Sequence, residues 1–318
     1  MRRATRRYKT TVIGLGAMGM RHARVIRGLD ERFELVGGFD VRPDLHGSDG
    51  LRRMRSHSEA IDQSDLLVIA TPIETHTELV ASALAAGRHV LVEKPLCATA
   101  ADASTLVASA RLGGRLFVGH SERFNPVVRA LARFVRAEQV LGIDLRRVGR
   151  SRESGFGVLV HLGVHDFDLV GYLCGGGVAV RSAAAGRSSA TGGEDFAHVL
   201  LTTASGSIGH VYVDRTTVAK QRTITVATHR WRYEGDLLDH RLVRADGSEA
   251  SRADVPLPFQ EPLVAQAIAL ADALDGYGGR DIATGTDGAF AVALAEQAAA
   301  YCKLPSVLPS NLPALRSV

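Results

Sequence analysis

Apolar residues in the first third of the chain fall in short unbroken runs, and the stretches between them carry the spacing of amphipathic helices. The β-branched run at 10–13, the segment 33–39, the run 66–70 closed by Thr71-Pro72, the segment 89–92 and the short run 116–118 are predicted strands. Residues 18–29, 74–86 and 99–112 are predicted helices. Gly87 stops the second of these, and Thr99 with Asp102 forms a cap pair for the third. Strands that are apolar throughout, each followed by a helix, imply a parallel sheet covered on both faces.

The pattern changes after His120. Asn125-Pro126 reads as a cap followed by a first-turn proline, with a helix over 127–137. A second helix is expected over 159–173, ended by Gly175-Gly176-Gly177. From about 178 to 244 the signal is strand-rich, with strands at 197–202, 207–214, 223–228 and 230–234 separated by turn residues, as in an antiparallel sheet. Helices at 263–274 and 288–301 follow. At roughly 150 residues per domain, 318 residues suggest two. The change of pattern puts the division at 1–120 and 121–318.

Composition narrows the classes. With 46% hydrophobic and 23% charged residues, the chain has enough apolar material for a substantial core. No apolar run reaches the length of a membrane span. A net charge of +4 over this length gives no electrostatic footprint for nucleic acid. Lysine occurs only at Lys9, Lys94, Lys220 and Lys303, so arginine supplies the other 34 basic residues and a lysine inside a structured segment stands out. Cys97, Cys174 and Cys302 are odd in number and far apart, which suits a reduced, cytoplasmic protein without a metal site. Arg2-Arg3 and Arg6-Arg7 superficially suggest an export signal, but the apolar stretch after them carries glycines at a cofactor-loop spacing and no small-residue cleavage site follows.

Those glycines are the first chemical motif. Gly14-Leu15-Gly16-Ala17-Met18-Gly19 has the G-x-G-x-x-G spacing, with a strand before it and a helix directly after it. The first glycine permits a tight turn, the second lets backbone approach a pyrophosphate, and the third allows close helix–strand packing. The context makes this a Rossmann-type loop. Asp40, 21 residues after Gly19, ends the second strand, where a carboxylate accepts from ribose hydroxyls and repels a 2′-phosphate. That favours NAD. Arg42 keeps NADP open, since a guanidinium accommodates the phosphate. Glu93-Lys94-Pro95 closes the fourth strand at the sheet edge where ligands collect, and Pro95 suits a fixed turn with a cis bond. There the Lys94 ammonium can hold a substrate hydroxyl.

Four segments together resemble the glucose–fructose oxidoreductase/inositol dehydrogenase (Gfo/Idh/MocA) family: the glycine loop; Ala70-Thr71-Pro72 with His76 and Glu78; the stretch 86–96 ending in Glu93-Lys94-Pro95-Leu96; and Gly163-Val164-His165-Asp166-Phe167-Asp168. The resemblance implies an α/β protein with an N-terminal Rossmann doubly wound parallel sheet and a C-terminal α/β domain built on a largely antiparallel, open-faced sheet. It implies an NAD(P)-dependent oxidoreductase of sugars, nucleotide sugars or cyclitols, forming a homodimer or homotetramer. Lys94 takes the place of the family's catalytic lysine and His165 that of its histidine base. Cofactor contacts are expected from Gly14, Gly16, Ala17, Met18, Gly19, Asp40, Arg42, Thr71, Pro72, His76, Glu93 and Lys94.

The position four residues before His165 usually holds an aspartate in the family and holds His161 here. His161, His165 and Asp168 at i, i+4 and i+7 share a helix face. Two imidazoles near Lys94 disfavour each other's protonated forms, keeping His165 neutral, and His161 is alternatively a substrate hydrogen-bond donor. The stretch Gly119-His120-Ser121-Glu122-Arg123-Phe124-Asn125-Pro126 resembles family members acting on nucleotide sugars. Arg123, Asn125, Arg150 and Arg152 are therefore candidate substrate residues, suited to phosphate; the competing reading makes Arg123 a structural partner of a carboxylate. The loss of the aspartate also leaves an alternative function, a catalytically inactive NAD(P)-binding sensor of the same fold.

Overall fold

Five short strands, β1 (Tyr8–Ile13), β2 (Phe33–Phe39), β3 (Leu66–Ile69), β4 (His89–Val92) and β5 (Leu116–Val118), form a wholly parallel sheet in the order β2-β1-β3-β4-β5. The computed structural model describes residues 6–42, 50–110, 114–136, 138–150, 156–187, 193–246, 252–277, 279 and 281–302. Every residue of β3 and β5 is buried, because helices cover both faces of the sheet. Helices α1 (Ala17–Gly28), α2 (His57–Gln63), α3 (His76–Ala85) and α4 (Ala100–Ala110) supply the covering layers. Helix α2 has no apolar period that announces it; Ser56 caps it by accepting from the Glu59 N–H at 3.1 Å, and Ala60 and Ile61 anchor it.

Helix α5 (Pro126–Val135) starts as its cap signal predicts: the Asn125 side chain accepts from the Val127 N–H at 3.0 Å. It leads into an eight-stranded sheet of β6 (Val140–Val148), β7 (Ala179–Gly186), β8 (Phe196–Thr202), β9 (Ile208–Asp214), β10 (Gln221–Thr228), β11 (Arg232–Asp236), β12 (Arg241–Ala245) and β13 (Ala253–Asp254). The order is β13-β12-β11-β10-β6-β9-β8-β7, antiparallel except for the central β6–β9 pair. The predicted helix 159–173 is two elements, one π-helical turn at Leu159–Gly163 and then α6 (Val164–Cys174). One face of this sheet packs with α5 and α6 around Leu131, Leu145, Phe167, Val170 and Val211. The other face carries the alternate residues, with Phe196, Leu200 and Ile208 exposed.

Two last helices return to the first sheet. Helix α7 (Pro262–Leu274) joins α1 over one face, with Val12, Ile26, Leu66 and Leu270 in a common core. Helix α8 (Gly285–Cys302) contributes Val292 to the core on the opposite face and Ala291, Leu294 and Ala295 to the core of the second half. The two sheets are therefore tied by shared helices as well as by the chain running from β5 to α5. Both functional loops of the first half, after β1 and after β4, leave the carboxyl ends of their strands, and the one after β4 reaches the second half through Lys94.

Candidate active site

The strand order reverses between β1 and β3, and the carboxyl ends of these strands open a cavity of about 780 Å³. Gly14, Gly16, Ala17, Met18, Asp40, Arg42, Thr71 and Pro72 line it. Gly14 takes φ +90°, and a Cβ there would meet the Ala70 carbonyl oxygen at 2.5 Å. Gly19 sits below the cavity, where a Cβ would run into the Gly14 carbonyl oxygen; this lets α1 start directly under the turn. The Asp40 carboxylate accepts from the Leu15 N–H at 2.8 Å and the Arg42 N–H at 2.9 Å. Burial opposes its ionisation, but these bonds and the Arg42 guanidinium hold its pKa below the usual range. A shaped glycine turn, a helix N-terminus and an ionised carboxylate at the second strand's end fit an adenine dinucleotide.

Two of the expected cofactor residues face elsewhere. His76 lies between the carbonyl oxygens of Pro95 and Thr71, each at 2.9 Å, and braces the two turns against each other. Glu93 meets His22 of α1 at 2.8 Å and accepts from the Lys94 N–H at 3.2 Å. Burial opposes its charge, yet His22 and Lys94 keep its pKa below the ordinary carboxylate value. Both residues fix the turn that presents Lys94, whose bond to Pro95 is cis.

Lys94 reaches across to the second half and donates to the His161 carbonyl oxygen at 3.2 Å. Burial pushes its pKa down to about 8, with Glu93 opposing and Arg147 and Arg222 adding to the fall. His165, in the first turn of α6, is pulled well below the usual imidazole value by burial and then by Lys94, Arg147, His120 and Arg222. Its Nδ1 is buried without a hydrogen-bond partner, so Nε2 is the nitrogen left on the accessible side. A neutral imidazole beside an ammonium is a base next to a hydroxyl-binding cation.

The structure corrects the reading of His161. The π turn breaks the i, i+4 register, and the imidazole edge-on to His165 is His120, at 6.4 Å between ring centroids and 80° between planes. His161 feels Lys94 and Arg215 instead; burial and Lys94 push it down to about 4. Asp168, three residues after His165 within α6, stays beside His120 but is held by Arg123, Nε to Oδ2 at 2.8 Å and Nη2 to Oδ1 at 2.6 Å.

Among the arginines, Arg123 is 3% exposed and also meets Asp287 at 3.1 Å, so its guanidinium is committed to carboxylates and not to the open cleft. Asn125 is spent on the α5 cap and on the Leu237 carbonyl oxygen at 2.9 Å. Arg150 is exposed at the end of β6, and Arg152 lies outside the described residues. The charges that do surround Lys94 and His165 were not read from the sequence. Arg147 holds Asp166 through Nη2 at 2.9 Å and Glu122 through Nη1 at 3.0 Å; Arg222 donates to the same Glu122 oxygen at 3.0 Å. His120 and Glu122 had a legible signal, since they follow a strand whose carboxyl end joins the same crevice. Arg147 and Arg222 had none.

Known proteins place this geometry. Residues 8–120 match the model of an oxidoreductase family with an NAD-binding Rossmann fold, and residues 128–234 match the Gfo/Idh/MocA C-terminal domain. The chain belongs to the Gfo/Idh/MocA family. An inositol 2-dehydrogenase of Paenarthrobacter aurescens is 30% identical over 227 residues, covering 66% of this chain and 67% of that protein. The UDP-N-acetylglucosamine 3-dehydrogenase of Acidithiobacillus ferrooxidans has the same fold at TM-score 0.84 and 22% identity, over 93% of this chain and 98% of that one. GenD2 from gentamicin A biosynthesis, solved with NAD, superposes at TM-score 0.80 with 26% identity, over 94% and 95% of the two chains. This Gfo/Idh/MocA protein is thus an oxidoreductase with an NAD-binding Rossmann half. Among its described residues no group of His, Cys, Asp or Glu is arranged to hold a metal, and no helix is long and apolar enough to cross a membrane.

Proposed function

We propose that this protein reversibly oxidises a secondary alcohol on a sugar, nucleotide sugar or cyclitol ring, with Lys94 and His165 as the catalytic pair. One observation carries the reading: Lys94, presented by the turn after β4, crosses to the π turn ahead of α6, where its ammonium charge reaches the neutral imidazole of His165. NAD, when bound, supplies the nicotinamide carbon that takes up the hydride. The Lys94 ammonium donates to the substrate hydroxyl oxygen and stabilises the negative charge that builds there. His165 accepts the hydroxyl proton at Nε2 as the carbonyl forms. His161 stands where it can donate to a neighbouring substrate hydroxyl, and its backbone carbonyl positions the Lys94 amine.

In this reading residues 1–120 hold the cofactor and residues 121–318 hold the substrate, with Arg150 on the substrate side. The exposed Phe196, Leu200 and Ile208 suit self-association through the open sheet face, as a homodimer or homotetramer in the cytoplasm.

The test is a nicotinamide-linked activity screen over UDP-N-acetylglucosamine, glucose 6-phosphate, free sugars and inositols. Turnover is expected on at least one of them. Lys94→Ala and His165→Ala should each lose about 10²- to 10⁴-fold in kcat while NADH binding persists. Full activity in either variant removes this mechanism.

A further inference from the structure

His165 has to release the proton it collects, and its surroundings oppose keeping it. The strongest charges that act on its imidazolium form, from Lys94, Arg147, His120 and Arg222, are repulsive. One ring further in, the balance changes. His120 follows β5 and is 1% exposed; burial holds its pKa below the usual imidazole value, but the charges around it are mixed, Asp168 of α6 and Asp287 of α8 favouring the imidazolium against Arg123 and Lys94. Its Nδ1 lies 3.8 Å from Asp168 Oδ2, and neither of its nitrogens has a hydrogen-bond partner among the described residues. A buried imidazole left so is destabilising relative to a satisfied one, a cost that a Phe or Leu of similar volume would avoid. The ring beside it is His165, edge to face, whose buried Nδ1 is also without a partner.

We propose that His120 is the proton relay behind His165, passing the substrate's proton from the cationic cleft to the Asp168 side. This rests on the dehydrogenase reading above. In the resting state His165 carries its proton on Nδ1 and His120 on the nitrogen facing Asp168. As the substrate C–H bond gives its electron pair to the nicotinamide, the O–H proton moves to His165 Nε2. The Nδ1 proton of His165 then moves to the free nitrogen of His120. His165 ends neutral with its tautomer reversed, His120 ends as imidazolium beside a carboxylate, and no electrons move in the relay. Reduction runs the same path backwards. The two rings are not hydrogen-bonded at their present separation; catalytic contacts commonly tighten only when substrate binds.

The experiment uses full-length protein labelled with ¹⁵N-histidine, in wild type, His120→Phe and His120→Gln, with NADH present. Ring spectra read the His165 tautomer without turnover, and steady-state kinetics follow on the substrate found in the screen. The Nδ1–H tautomer of His165 is expected in wild type and in His120→Gln, whose amide oxygen accepts that proton, and is expected to be lost in His120→Phe. Because glutamine accepts a hydrogen bond but relays no proton, both variants should lose at least about tenfold in kcat, with KM and NADH affinity within about twofold of wild type. An Nε2–H tautomer in wild type overturns the proposal. So does wild-type kcat in either variant; in His120→Gln it would mean that His120 only orients His165. If His120→Phe does not fold, His120→Gln decides alone. If wild type turns over nothing, the dehydrogenase reading fails, while the tautomer still judges the pairing of the rings.

Discussion

The two walls of the cleft are made of different materials. The cofactor wall is mostly backbone: one glycine-dependent turn, a helix N-terminus and one ionised side chain, Asp40. The substrate wall is a scaffold of buried ions, with Arg123 on Asp168, Arg147 on Asp166 and Glu122, and Arg222 sharing Glu122. Backbone recognition asks only for local geometry, so it fits into a dozen consecutive residues. An ionic scaffold needs partners brought from distant elements, here from the turn after β5, from β6, α6 and β10. The difference predicts that the substrate wall is the more expensive one to damage, because each lost charge leaves a partner stranded in the interior.

Removing Arg147 should therefore have the largest effect on the fold. Arg147→Met leaves Asp166 buried without its cation and Glu122 with Arg222 alone, and breaking such a buried pair costs about 3–5 kcal/mol. Denaturant unfolding should show that loss as a lower midpoint. A midpoint unchanged within error would mean that the ions are decoration on a hydrophobic scaffold. On the opposite wall, Gly19→Ala pushes a methyl group into the Gly14 carbonyl. Local overpacking of this kind costs about 1–3 kcal/mol and should appear first as weaker NADH binding by titration, with a smaller fall in stability than Arg147→Met. If Gly19→Ala destabilises more than Arg147→Met, the contrast between the walls is wrong.

The same contrast explains how much could be read from the sequence. Strands β1 to β5 announce themselves because they are apolar on both faces, and the glycine loop, Asp40 and the Lys94 turn lie at their ends. In β6 the inward series runs Ile143, Leu145, Arg147. A charged residue at a core-facing position erases the alternation, and β6, the strand at the centre of the second sheet, was invisible as a strand for the same reason that Arg147 was invisible as a site residue. Arg123 and Asp168 are 45 positions apart, and Arg222 and Glu122 are 100 apart; no local pattern joins them. Helical spacing misplaces His161 because a π turn runs through 159–163, which sequence period does not reveal. Lys94 and His165 were legible only because several motifs converged on them.

The smallest expected effect is also the one that tests whether the walls act on each other. Lys94 belongs to the cofactor wall, yet Arg147 and Arg222 of the substrate wall help to bring its pKa down to about 8. Below that pH the amine is charged and stabilises the developing alkoxide; above it the charge is lost, so kcat/KM for oxidation should fall on the alkaline side of about pH 8. His165 titrates far below neutrality and leaves no limb near pH 7. Arg222→Met removes one of the cations that depress Lys94, so the alkaline limb should move to higher pH while NADH affinity holds. A limb that stays in place in Arg222→Met would show that burial alone sets the Lys94 pKa. An alkaline limb near the ordinary lysine value in the wild type would show that Lys94 is better solvated than its position at the end of β4 implies.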